Sequence, residues 1–199
     1  MADYLTYFYR KDKEPFQSLS VLPDAEAIRL MESLYIEGAV IWERFKNPAQ
    51  YLRLRREVER WLRTAFVAKG GKPRESCPIY MILGTPVWAL KMNDAASAAT
   101  TSEMRVPLSI LEEHDVSFTY PDSMVSWLME NERNPEYYQP DYHGQVFTLS
   151  EIQPIVQAKG MPEEGWTTNL PTTFAHYIEA QVWNWQPLLE YWRSLSAVG

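Results

Sequence analysis

Among the residues able to do chemistry, the densest grouping is Asn134–Gly144 (NPEYYQPDYHG), where Tyr138, Tyr142 and His143 stand among Glu136 and Asp141. His143 is the natural acid–base candidate, because imidazole changes charge near neutral pH. Tyrosines beside a histidine in a long loop suit the lining of a ligand site. The competing reading has the same rings packing back onto the body of the protein to pin the connection. A second grouping is Val116–Met124 (VSFTYPDSM). Ser117 and Thr119 point one way from a strand while Val116, Phe118 and Tyr120 point the other. Asp122 or Ser123 would then cap a following helix. A strand end meeting a helix N-terminus attracts anions, but cross-strand bonding of two hydroxyls plus a cap explains the same residues. The structural explanation is preferred.

Several familiar chemistries lack their residues. No GxxxxGK[ST] or GxGxxG loop occurs, so the common phosphate cradles are missing. Lys69-Gly70-Gly71-Lys72 follows a predicted helix, where it serves as a C-cap rather than an anion site. There is no HExxH and no HxH, and the neighbouring side chains of Glu112-Glu113-His114-Asp115 would not converge on one ion, so no metal site is expected. GxSxG is absent, and Cys77, the one cysteine, leads an apolar run and reads as a small hydrophobe.

Arg10 on an early strand, Ser117 with Thr119 on a middle strand and Glu179 on a late strand are similar, in order alone, to ADP-ribosyltransferases of the arginine–serine–glutamate kind. That resemblance would imply a glutamate stabilising an oxocarbenium-like state at a nicotinamide ribose, with Arg10 holding pyrophosphate. The chain departs from the pattern twice. It has no Ser-Thr-Ser run, and the acidic residue precedes Gln181, whereas that family's catalytic glutamate stands second in such a pair.

The elements that must hold these residues are readable from periodicity. Tyr4–Arg10 is an aromatic, β-favouring strand. A helix follows Asp24 and ends by Gly38. The strongest element runs from Pro48 to about Lys69, with Asn47 as N-cap candidate, Gln50 completing an approximate capping box, and Gly70 as terminator. Its face of Tyr51, Leu54, Val58, Trp61, Leu62, Ala65 and Phe66 is apolar, and Arg53, Arg56, Arg60 and Arg63 lie opposite. Pro78–Leu83, Arg105–Ile110, Val116–Tyr120, Gln145–Leu149 and His176–Trp183 read as further strands. Asn93–Ser102 reads as a loop or poor helix, and Met161–Thr173 as a long connection. Shorter helices are expected through Met129, from Ser150 to Gly160, and from Pro187 onward. The prediction is a single α+β domain over residues 1–199, with a mixed or mostly antiparallel sheet of about six strands and about five helices.

Composition narrows the function. The net charge of −7 disfavours general nucleic-acid binding. Eight Lys or Arg against two Glu between Arg53 and Arg74 leave the remaining sequence near −13; this arginine row reads first as a solvated helix face. No run approaches the length of a membrane span and no secretion leader is apparent, so a soluble, cytoplasmic protein is expected. Aromatics reach 14%, with 8 Trp and 12 Tyr, residue types that interfaces favour. The first expectation is therefore a binding or assembly module, meeting a protein partner or its own copy through aromatic and arginine surfaces. The second is a small enzyme acting on a nucleotide or other anionic metabolite, with Arg10, Tyr138, Tyr142, Ser117 and Thr119 as ligand contacts and His143 and Glu179 as catalytic groups. No cofactor is implied by any motif.

Overall fold

A computed structural model describes residues 2–38, 42–85, 99–161 and 177–196. Its elements run β1 (Tyr4–Arg10), α1 (Asp24–Leu34), α2 (Pro48–Ala68), β2 (Ile79–Leu83), β3 (Thr101–Pro107), β4 (Val116–Thr119), α3 (Ser123–Glu132), α4 (Leu149–Lys159), β5 (Glu179–Val182) and α5 (Gln186–Ser196). The five strands form one sheet in the order β3-β1-β2-β5-β4, and every neighbouring pair is antiparallel. The α+β class is as predicted, with five strands among the described residues rather than six.

The missing strand is Gln145–Leu149. It contributes only an isolated bridge between Phe147 and Phe118, because Thr148 turns away to cap α4. The Thr148 hydroxyl accepts from Glu151 N–H while the Glu151 carboxylate accepts from Thr148 N–H, a complete capping box. The edge strand β3 begins earlier than expected, at Thr101, and the chain after Pro107 forms a 3-10 turn, Leu108–Ile110. Asn47 precedes α2 without a side-chain capping bond, so the expected box there does not form. Gly70, at φ +89°, supplies the left-handed residue after that helix. The predicted segments 93–98 and 162–176, including His176, lie outside the described residues.

Alternation gives the sheet two unlike faces. On one, Leu5, Met81, Leu83, Val106, Phe118, Ala180 and Val182 are buried together with Ile152 and Val156 of α4 and Leu188 of α5. The other face is overlaid by α2 and α3, whose Val58, Leu62, Phe66 and Met124 pack with Trp183 and Tyr80. Next to it, Ala27, Met31, Phe45 and Leu52 form a smaller cluster that receives Phe8 of β1. Full burial of one such aliphatic or aromatic side chain contributes about 1.5–3 kcal/mol. Among the described residues, no helix is long and apolar enough to cross a membrane.

The aromatic surplus is spent inside. Every described Trp, Tyr and Phe is buried or half-buried, and the exposed large apolar residues are Val21, Val67 and Leu195.

Candidate functional site

Strand register assembles a polar patch on the α2-covered face. Thr6 pairs with Ile82, Ile82 with Glu179 and Glu179 with Thr119, while Tyr80 pairs with Gln181 and Gln181 with Ser117. Directly opposed residues share a face, so Glu179, Gln181, Ser117, Thr119 and Tyr80 lie side by side. Ser117 and Thr119 are fully buried. They leave the apolar face, as the alternation predicts, and α2 and α3 cover the side they reach.

A continuous chain of hydrogen bonds links them. Trp183 Nε1–H donates to Ser117 Oγ (2.9 Å), and Ser117 O–H donates to Gln181 Oε1 (2.9 Å). Gln181 Nε2 in turn donates to Thr119 Oγ1 (3.1 Å) and Glu179 Oε2 (3.3 Å). The same Glu179 oxygen accepts from the backbone N–H of Ser123 at 3.0 Å. Every bond in this chain fixes the orientation of the next group, and Gln181 can turn only if both hydroxyls turn with it.

The corner Tyr120–Ser123 brings a second carboxyl to Glu179. Asp122 caps α3 by accepting from Val125 N–H at 2.9 Å, as its position predicts. It is 7% exposed and Glu179 is 9% exposed. Burial, reinforced by the Glu179 charge, pushes Asp122 up to about 7 against the pull of the α3 N–H groups. Burial likewise raises Glu179, opposed by its bonds from Ser123 and Gln181. Two neighbouring carboxyls in a dry site cannot both ionise cheaply, so the pair holds a proton near neutrality.

Above this patch lies a buried ion pair from α2. Arg55 Nε sits 3.1 Å from Glu59 Oε1 and donates to Ser20 Oγ at 3.0 Å. The guanidinium lies 4.3 Å over the Tyr80 ring, and Nη1 reaches Tyr51 OH at 3.4 Å. Glu59 also accepts from Ser20 Oγ (2.8 Å) and Tyr80 OH (3.3 Å). Burial alone would lower Arg55, but Tyr51, Tyr80 and Glu59 hold it above its ordinary value. Beside the network, the Cys77 thiol donates to Ser18 Oγ at 3.5 Å and is pushed up by burial.

Of the residues singled out from sequence, Ser117, Thr119 and Glu179 are brought together. Arg10 is not. It closes β1 four residues beyond Thr6, roughly 13 Å along the strand, and is engaged by Asp12 through Nε (2.7 Å) and Nη2 (3.0 Å). The arrangement resembling ADP-ribosyltransferases therefore keeps its hydroxyls and glutamate adjacent and its arginine elsewhere. Tyr138, Tyr142 and His143 fold inward as the pinning alternative describes. Tyr138 O–H donates to Glu130 Oε2, and Tyr142 meets the Tyr120 ring edge-on with centroids 4.9 Å apart. His143 Nδ1 accepts from Gln139 N–H at 3.0 Å. Burial lowers His143 to about 4, which leaves it neutral at pH 7. Among the described residues no hydrogen bond or ion pair joins this loop to Glu179.

The row of arginines opposite the apolar face is partly engaged. Arg53 and Arg60 are exposed, whereas Arg56 bonds Asp24 and Leu22 O, and Arg63 bonds the carbonyls of Glu75 and Pro73. Asp115 is 1% exposed and accepts from Asn184 Nδ2 at 2.8 Å.

Sequence reasoning missed Arg55, Glu59, Tyr80 and Gln181. A signal for the first two exists. At roughly 100° per residue, Arg55 and Glu59 fall inside the arc of Leu52, Val58, Leu62 and Phe66, the residues α2 buries. Comparison with known proteins finds no matching family model, curated protein or solved structure.

Proposed function

We propose that the chain is a small enzyme working at the Asp122–Glu179 corner, where the paired carboxyls exchange a proton with a bound metabolite. The observation that carries this reading is the burial of two carboxyls together at the junction of β4, α3 and β5, with Glu179 oriented by Ser123 N–H and Gln181. A carboxyl poised near neutral pH is suited to general acid–base work, and carboxyls displaced from their ordinary range concentrate at functional sites. The acid–base role sought in His143 passes to this pair, since the imidazole is neutral and already an acceptor. For an anionic metabolite or nucleotide, the cation among the described residues whose charge acts on Glu179 is Arg55, which is already closed by Glu59.

The alternative, a binding or assembly module, draws its support from the exposed Arg53 and Arg60; the inward-turned aromatics give it none.

Thermal-shift measurements of the full chain against nucleotides, NAD, sugars, amines and simple anions test the enzyme reading, with Glu179→Gln as the matched control. The expected result is a ligand that raises the wild-type midpoint and leaves a folded Glu179→Gln variant unmoved. Equal stabilisation of both proteins, or indifference to every ligand, overturns the reading.

A further inference from the structure

The sheet ends on two unlike edges, β3 and β4. β4 is closed on its outer side, where Phe118 and Phe147 exchange both N–H···O bonds at 2.8 Å, and all of its residues are buried. β3 is different. Its ladder with β1 is bracketed by Lys11 N–H on Thr100 O and Leu108 N–H on Asp3 O, and both pairs lie on the register that opposes Thr6 to Arg105. Antiparallel pairs alternate between bonded and unbonded, so Ser102, Met104 and Val106 turn their peptide groups toward β1. The N–H and C=O groups of Thr101, Glu103 and Arg105 therefore point away from the sheet. Among the described residues nothing bonds them. A row of open peptide groups on a seven-residue strand is a template for another strand. The charged side chains on this strand have opposite signs. Glu103 is 42% exposed and Arg105 is 56% exposed, and they meet at 3.1 Å on one face.

We propose that a second copy of this chain pairs with β3, strand against antiparallel strand, about a twofold axis through Met104. The position of the axis follows from charge. An axis through Glu103 or Arg105 opposes that residue to itself, and like charges directly opposite are unfavourable. An axis through Ser102 or Val106 faces neither charge with its opposite. Through Met104, Glu103 of each copy faces Arg105 of the other, Ser102 faces Val106, and Thr101 faces Pro107. The outward peptide groups then meet. Glu103 N–H donates to Arg105 O of the second copy, Arg105 N–H to Glu103 O of the second copy, and Thr101 N–H to Pro107 O of the second copy. Pro107 has no N–H to offer, so the ladder stops there. The surface is self-complementary, as a closed dimer requires. Met104, on the apolar face, meets its own counterpart, and each five-stranded sheet continues into the next. This surface is independent of the Asp122–Glu179 corner, which belongs to the β5-β4 end of the strand order.

Sedimentation velocity and light scattering of the full chain over about 1–500 µM test this, since a single strand pairing makes a small interface of modest affinity. The mass should move from 23.2 kDa toward twice that value as concentration rises. Glu103→Arg and Arg105→Glu should each weaken the dimer about tenfold or more, because both facing pairs become like-charged. Mixed in equal amounts, the two variants should associate again, since the arginines of one face the glutamates of the other. Glu103→Pro removes an outward N–H and none of the bonds to β1, so a folded variant should be monomeric throughout. Hydrogen exchange supplies a second readout. The Glu103 and Arg105 amides should become slow only at high concentration, and those of Met104 and Val106 should be slow throughout. A mass fixed at 23.2 kDa, a dimer indifferent to folded Glu103→Pro, or charge variants that fail to associate on mixing overturns the proposal. Slow exchange of the Glu103 and Arg105 amides at every concentration places another segment of the same chain on this edge, and overturns it too.

Discussion

Asp122→Asn should make the protein more stable at pH 8, even though it replaces an acidic residue at a helix N-cap. Asn and Asp cap helices equally well, so the bond from Val125 N–H is retained. What is lost is a charge that the corner holds unwillingly. A carboxyl whose folded pKa lies above its unfolded value binds its proton more tightly in the folded state. The stability it contributes is greatest below the unfolded value, here 3.8, and declines as pH rises until the folded value, about 7, is passed. At about 1.4 kcal/mol per pH unit, that interval corresponds to about 4 kcal/mol at pH 8. Relaxation around the pair reduces it, so a gain of about 2–4 kcal/mol is expected for the variant. For a chain of this size the melting midpoint should rise by roughly 4–16 °C. Urea denaturation of both proteins at pH 5, 6, 7 and 8 checks it. The difference between them should be less than half its full size at pH 5 and grow toward pH 8, which separates it from the carboxylates that stabilise through ordinary pairing, such as Glu151 with Lys69. A variant less stable than wild type at pH 8, or a difference that does not change with pH, would refute the reasoning.

Other expectations concern the framework. Arg55→Met strands the buried Glu59 charge and should cost about 3 kcal/mol, while adding Glu59→Leu should recover most of that loss; strict additivity in the double-mutant cycle contradicts the pairing. Thr148→Ala removes one arm of the capping box on α4 and should lower stability by about 1 kcal/mol, seen as a lower urea midpoint with an unchanged slope.

How much was legible in the sequence differs between scaffold and site. The long helix α2 announces itself through Pro48, Gly70 and its apolar arc, and β1, β2, β4 and β5 through β-branched or aromatic runs of the right length. Gln145–Leu149 misleads because a run that favours strand also ends in Thr148, and the cap wins over the ladder. Ser117, Thr119 and Glu179 are visible as residue types, but only register makes them neighbours, and register depends on which strands pair. Gln181 drew notice merely as a departure from a resemblance, yet it is the amide that ties both hydroxyls to the glutamate. Attention to the exposed arginines hid Arg55, whose position on the helical wheel places it with the buried residues. The inward turn of His143 depends on tertiary packing against Tyr142 and Gln139, which no local spacing encodes.

The strand order has a consequence for how the chain is made. β5, late in the sequence, lies second from one edge of the sheet: it enters between β2 and β4 and joins them. Until residues 179–182 emerge, β4 lacks its ladder partner and β2 presents an open edge. The nascent polypeptide cannot complete its sheet progressively, and the carboxyl pair cannot exist in any shortened intermediate. Such distant contacts favour slow, late, cooperative closure, so production of this protein should be sensitive to anything that delays or removes residues 179–182.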